Sequence, residues 1–205
     1  MRHPVGGIHE DSPGLPGRVA VLPSGAALAQ VDYDRHVVFD NSLADGSWYY
    51  NHSHVVARSE LDQADGKIPV DGDHFLTPPN ALRVKWCSAT GGEWSVSLDV
   101  RGRYGRVEFA GSSLRMWCYA QDAISAERAP RIAPSDSDHH GTPAIPLFNA
   151  KNVPPAGKWM QVELPFDSFV GIMRATRPDI FDPRKLERIM IFQGLNDGKP
   201  HTVYS

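Results

Sequence analysis

Two short runs, Leu82-Arg83-Val84-Lys85-Trp86-Cys87 and Leu114-Arg115-Met116-Trp117-Cys118-Tyr119, alternate between apolar and polar residues. A third, Trp94-Ser95-Val96-Ser97-Leu98-Asp99-Val100, does so more cleanly still. Alternation is the signature of a strand whose successive side chains point to opposite faces of a sheet. It puts Leu82, Val84 and Trp86 on one side and Arg83, Lys85 and Cys87 on the other. In the second run Leu114, Met116 and Cys118 share the apolar side, and Arg115, Trp117 and Tyr119 the polar one. The turn Thr90-Gly91-Gly92-Glu93 predicts that the first and third runs pair as an antiparallel hairpin. Ser95 and Ser97 would then leave open space beside Arg83 and Lys85.

Composition supports a strand-rich chain. Gly 18 and Pro 17 in 205 residues suit many turns between short strands better than a helix bundle. The length fits one domain of sizeable core. A net charge of -3 gives no reason to expect a nucleic-acid or polyanion partner. No run approaches the roughly 18 apolar residues of a membrane-spanning helix. Residues 1–30 are set apart as a leader, either disordered or a degenerate secretory signal, because Arg18 precedes a mildly apolar stretch ending in Ala27-Leu28-Ala29. Two cysteines permit one disulfide. Cys118 falls with apolar neighbours and Cys87 with polar ones, so two separate thiols or a bridge across a bulge both stay open.

Along the rest of the chain, His36 to Asp40 reads as a first strand, Ala44 to Ser47 as a turn opening onto Trp48-Tyr49-Tyr50, and Val55 to Ala57 as another short strand. The proline-punctuated segment from Lys67 to Asn80 should lie on the surface or along an edge. Residues 121–149 read as one long loop, with or without a short helix, lying across an end of a sandwich. Lys158 to Phe166 alternates again, with Met160, Val162 and Leu164 inward. Asp182 to Leu186 suits a turn of helix, Arg188 to Gln193 an apolar strand, and His201 to Ser205 a final strand. That strand stops at the last residue, which would leave a sheet edge incomplete, so the chain is expected to be an excerpt of a longer protein. The fold class is all-β: a two-sheet antiparallel β-sandwich over residues 31–205.

The order of the pieces Val38-Phe39-Asp40-Asn41-Ser42, Pro78-Pro79-Asn80-Ala81-Leu82-Arg83-Val84, Gly92-Glu93-Trp94-Ser95-Val96, Trp159-Met160-Gln161-Val162-Glu163-Leu164-Pro165 and Thr202-Val203-Tyr204 resembles the galactose-binding-like jelly roll. Carbohydrate-binding modules attached to bacterial glycoside hydrolases and polysaccharide lyases use that fold. The resemblance implies a polysaccharide or oligosaccharide ligand, a covalently linked catalytic domain, and a secreted or periplasmic location. Such modules commonly finish in an acidic strand that completes a calcium site. Here that strand is absent.

The candidate sites follow from strand faces. Trp117 and Tyr119 can stack on a sugar ring, with Arg83, Lys85 and Arg115 bonding hydroxyls or a carboxylate, and Gln161, Glu163 and Gln193 adding polar contacts. The alternative is that the long loop covers these aromatics as a second small core. Trp48, Tyr49 and Tyr50 are either a loop-tip site or a strand buried on both faces, and Trp86, Trp94 and Trp159 are read as core. Asp40 with Asn41, or Asp71 with Asp73, offer oxygen ligands for a structural calcium, or are ordinary turn residues. Asp136, Asp138, His139 and His140 hold metal-capable groups without zinc spacing. For catalysis, Asp99 and Glu163 are the one outward-facing carboxylate pair to set across a cleft, and His54 or Tyr119 the base for a lyase. The expected function is a non-catalytic carbohydrate-binding module. The alternatives are a small glycoside hydrolase or polysaccharide lyase, and a structural domain that binds no sugar.

Overall fold

The computed structural model describes residues 50–100, 109–171 and 181–205. The chain divides into two compact units, Met1–Tyr33 and Asp34–Ser205, and every described residue belongs to the second. The leader, the strand at His36 to Asp40, Trp48, Tyr49 and the Asp40–Asn41 pair lie outside the described residues.

Among the described residues, eleven strands form two antiparallel sheets. The first sheet runs β1 (Tyr50–Val56), β5 (Glu93–Asp99), β10 (Leu186–Phe192), β7 (Arg131–Asp136), β8 (Ile145–Pro146). The second runs β2 (Glu60–Leu61), β4 (Ala81–Cys87), β11 (Pro200–Tyr204), β6 (Ser113–Ala120), β9 (Trp159–Pro165), with β3 (Val70–Asp71) also on β4. A helix of one turn, α1 (Asp167–Val170), and a 3-10 turn at Pro183–Lys185 complete the described elements. Among the described residues no helix is long and apolar enough to cross a membrane.

The alternation read from the sequence is what closes the sandwich. Trp94, Val96 and Leu98 of β5 and Ile189 and Ile191 of β10 meet Leu82, Val84 and Trp86 of β4 and Leu114 and Cys118 of β6 in one buried cluster. The two sheets touch through Trp86 and Trp94, whose ring centroids are 5.4 Å apart. The Trp94 indole N–H donates to Ser88 Oγ at 3.0 Å, so this fully buried ring leaves no polar atom unpaired.

Four expectations need correction. The Gly91-Gly92 turn does not make a hairpin: β4 and β5 belong to different sheets, so Ser95 and Ser97 lie on the far side of the sandwich from Arg83 and Lys85. At this crossing Gly92 packs against Ser59 so closely that an added Cβ would clash with the Ser59 backbone nitrogen. Second, residues 121–149 are not one loop, for they contain β7 and β8. Pro134 disguised β7; it lies opposite Ile189 where β8 has already ended, so no donor toward β8 is needed there. Third, the final strand is not at an edge. β11 lies between β4 and β6, and Ser205 exchanges backbone hydrogen bonds with Leu82 at 2.7 and 2.9 Å. Fourth, Trp159 pairs with Tyr119 on the outer face rather than in the core.

The cysteines are free. Cys118 points into the core and Cys87 outward, on strands separated by β11, a geometry no disulfide spans. Burial pushes the Cys118 thiol up to about 12.

The loop after β10 carries a second close approach. An added Cβ on Gly194 would stand 2.1 Å from the Ala129 carbonyl oxygen. Gly194→Ala is therefore expected to lower the unfolding free energy by about 2–3 kcal/mol, the cost of forcing backbone apart in a packed site. A urea titration of the variant checks this.

Candidate functional site

The outer face of the second sheet carries most of the residues singled out in the sequence. Antiparallel register sets Trp159 of β9 opposite Tyr119 of β6, Tyr119 opposite Tyr204 of β11, and Tyr204 opposite Arg83 of β4. Directly opposed residues share a face, so these four form one row across the sheet. The next row sets Gln161 opposite Trp117, and the next Glu163 opposite Arg115. Lys85, exposed, stands two residues from Arg83 on the same face. Arg83, Lys85, Arg115, Trp117, Tyr119 and Gln161 are thus brought onto one surface.

The residues of this surface differ in what is left for a ligand. Trp117 is 45% exposed although its strand is central enough to pair on both sides; the 121–149 segment leads to the first sheet and leaves this ring open to solvent. Tyr119 and Trp159 are partly exposed and pack at 5.5 Å with their planes 46° apart. Tyr204 is buried because His74, from the segment after β3, stacks over it at 4.6 Å. Arg115 Nη2 reaches Glu163 Oε1 at 2.9 Å, and Ser113 Oγ donates to the same oxygen at 2.8 Å. Both side chains are largely exposed, so the pair contributes little to stability.

Arg83 is different. Its two terminal nitrogens donate to Asp71 Oδ2 and Asp62 Oδ2, each at 2.8 Å. Asp71 also accepts from the backbone N–H groups of Asp73 at 3.0 Å and His74 at 2.9 Å, and lies 3.2 Å from the His74 ring. Burial alone would raise the Asp71 carboxyl, but the His74 and Asp73 N–H groups, the His74 ring and Arg83 together outweigh it and hold the group at about 2. Both Asp71 carboxylate oxygens are thus engaged, and the turn it forms with Asp73 anchors Arg83 and His74.

A depressed carboxyl stabilises the fold at pH values above its unfolded pKa, and that stability is lost as pH falls through the folded value. Thermal stability is therefore expected to fall between the ordinary value of 3.8 and about 2. The slope in that window should be shallower in Asp71→Asn, which a pH series of melting curves checks.

Other sequence candidates do not join this surface. Gln193 follows β10 in the first sheet, where its amide donates to the Gly92 carbonyl at 2.9 Å and accepts from Ser59 Oγ at 2.6 Å; it is a structural tie. Asp99 lies on the outer face of the first sheet, bonded by Arg188 Nε at 2.7 Å, while Glu163 is on the outer face of the second. The two carboxylates point away from each other through the whole sandwich, so they cannot flank a scissile bond. His54 is on the first sheet as well. Asp136, Asp138 and His140 do bring ligand atoms within 4.8 Å of one another. Asp136, however, is fully buried and already accepts from Asp138 N, His140 N and Asp182 N at 3.0, 2.9 and 2.9 Å. It organises the turn after β7.

Sequence reasoning missed three members of the surface: Trp159, Tyr204 and His74. Trp159 was legible, since Met160, Val162 and Leu164 inward place residue 159 outward. His74 carried no signal, because a loop's path over a sheet is not written in periodicity.

No protein-family model matches the chain. It is 28% identical over 185 residues to the exo-β-1,2-glucooligosaccharide sophorohydrolase (non-reducing end) of Parabacteroides distasonis, covering 90% of this chain and 25% of that protein. The crystal structure of a β-1,2-glucanase from the same organism superposes with a TM-score of 0.65 and 27% identity, covering 82% of this chain and 24% of that one. The family 30 carbohydrate-binding module of a Clostridium thermocellum cellulosomal cellulase superposes with a TM-score of 0.56 at 17% identity, over 75% of this chain and 86% of the module. The chain has the β-sandwich fold of a carbohydrate-binding module. Most of that module's chain aligns with this sandwich, whereas the chain spans only a quarter of the length of the curated relative it matches.

Proposed function

We propose that the chain is a non-catalytic carbohydrate-binding module of the galactose-binding-like type, holding polysaccharide on the outer face of its second sheet for a glycoside hydrolase domain of the same polypeptide, outside the cytoplasm. The observation that carries this reading is the open Trp117 ring on the same face as the Tyr119–Trp159 pair, with Gln161, Arg115 and Lys85 around them. Aromatic faces supply apolar area with few rotors to freeze, and the amide and cations supply hydrogen bonds to hydroxyls. The relative acting on β-1,2-glucooligosaccharides makes β-1,2-linked glucan the first ligand to try. The opposed placement of Asp99 and Glu163 speaks against a hydrolase within this sandwich.

Calorimetric titration of the chain with β-1,2-linked glucooligosaccharides, alongside an assay for released reducing ends, tests the reading. Binding without release is the expected result. Release by the chain alone would make it an enzyme, and absence of binding to any glycan would make it a structural domain.

A further inference from the structure

The aromatic row across the second sheet is not flat. From Trp159 to Tyr119 the ring planes turn by 46° over 5.5 Å, and from Tyr119 to Tyr204 by 65° over 5.8 Å. Neighbouring strands lie about 4.8 Å apart and are rotated by roughly 20–25°, so the sheet's own twist begins this turn and the side-chain rotamers add to it. At its β11 end the row is closed: His74 lies nearly parallel on Tyr204, 22° off and 4.6 Å away, and its ring is 6.2 Å from Tyr119. Trp159 and Tyr119 keep partly exposed rings, with the open Trp117 ring one row along.

Stacking on a sugar needs the ring and the pyranose face to lie parallel. In a β-1,4-linked glucan successive pyranose rings lie close to one plane, so a ribbon flush on Tyr119 stands nearly half a right angle from Trp159 and gains one stacking contact. In a chain whose linkage joins adjacent ring carbons, as a β-1,2 bond does, each ring leaves the plane of the one before. Such a chain can meet both faces.

We propose that the angle between Tyr119 and Trp159 makes this surface selective for bent glucan chains over flat ribbons, with Trp159 the residue that determines the selectivity and His74 the stop at one end. The proposal rests on the sugar-binding reading of the same face and adds the shape of the ligand to it.

The test is a calorimetric comparison of β-1,2-linked and β-1,4-linked glucopentaose on the whole chain and on Trp159→Ala and Trp159→Phe, each checked for an unchanged melting curve. The expected result is about a tenfold preference for the bent pentasaccharide, the worth of one additional stacked ring. That preference should shrink towards unity in Trp159→Ala and survive in Trp159→Phe. Equal or tighter binding of the β-1,4 chain overturns the selectivity while leaving the binding function standing. A preference untouched by Trp159→Ala removes that residue from the role. Failure of every glucan to bind overturns the binding function itself, and the selectivity with it.

Discussion

Arg83→Ala is expected to destabilise the sandwich rather than to delete a sugar contact. Its guanidinium bridges Asp62 and Asp71 at 2.8 Å each, and Asp71 has only 8% of its surface exposed. Removing the cation leaves that carboxylate facing only backbone N–H groups and His74. Breaking a buried ion pair costs about 3–5 kcal/mol; because the Arg83 side chain is itself 30% exposed, solvent screens part of this, and about 2 kcal/mol is the expected loss. Chemical denaturation reads it directly. A variant of wild-type stability with impaired glucan binding would return Arg83 to the site as a ligand-bonding residue.

Trp117→Ala is expected to do the reverse. The ring is 45% exposed and its strand is held by Leu114, Cys118 and Ala120 on the inner side, so truncation leaves the core intact. Stability should stay within about 0.5 kcal/mol of wild type, as for a surface substitution away from buried features. Glucan affinity should drop by tenfold or more, about 1.4 kcal/mol, because one aromatic at the centre of a patch commonly carries a large share of the binding energy. Affinity measured by calorimetry that is unchanged in Trp117→Ala would move the binding surface elsewhere. The two variants together separate what holds the face in place from what the face holds.

The contrast between these residues marks where sequence was readable. Strand faces follow from alternation, so the outward facing of Trp117, Tyr119, Arg115, Gln161 and Lys85 on their own strands, and the inward facing of Trp86 and Trp94, was available from residue order alone. Which strands become neighbours was not. Thr90 to Glu93 looks like a hairpin turn, yet β5 pairs with β1 and β10 in the opposite sheet, partners that lie far off in sequence. The same limit hid the role of Arg83: its partners, Asp62 just after β2 and Asp71 on the two-residue β3, are brought beside it by packing, and so its charge read as free. Pro134 misled in a third way, since a proline demotes a strand only where a donor is needed, and need is decided by a neighbour's length.

The position of β11 bears on how the protein is made. β4 and β6 are both synthesised long before β11, yet among the described residues they are joined only through it. Until the last described strand leaves the ribosome, each of these strands keeps one hydrogen-bonding edge bare, with Leu82, Val84, Trp86 and Leu114 lacking their final cover. A nascent chain in that state is a template for pairing with another copy. Pairings of such long sequence separation also form late and slowly. Truncation before Pro200 is therefore costlier than the loss of six residues suggests: it removes the middle of a sheet.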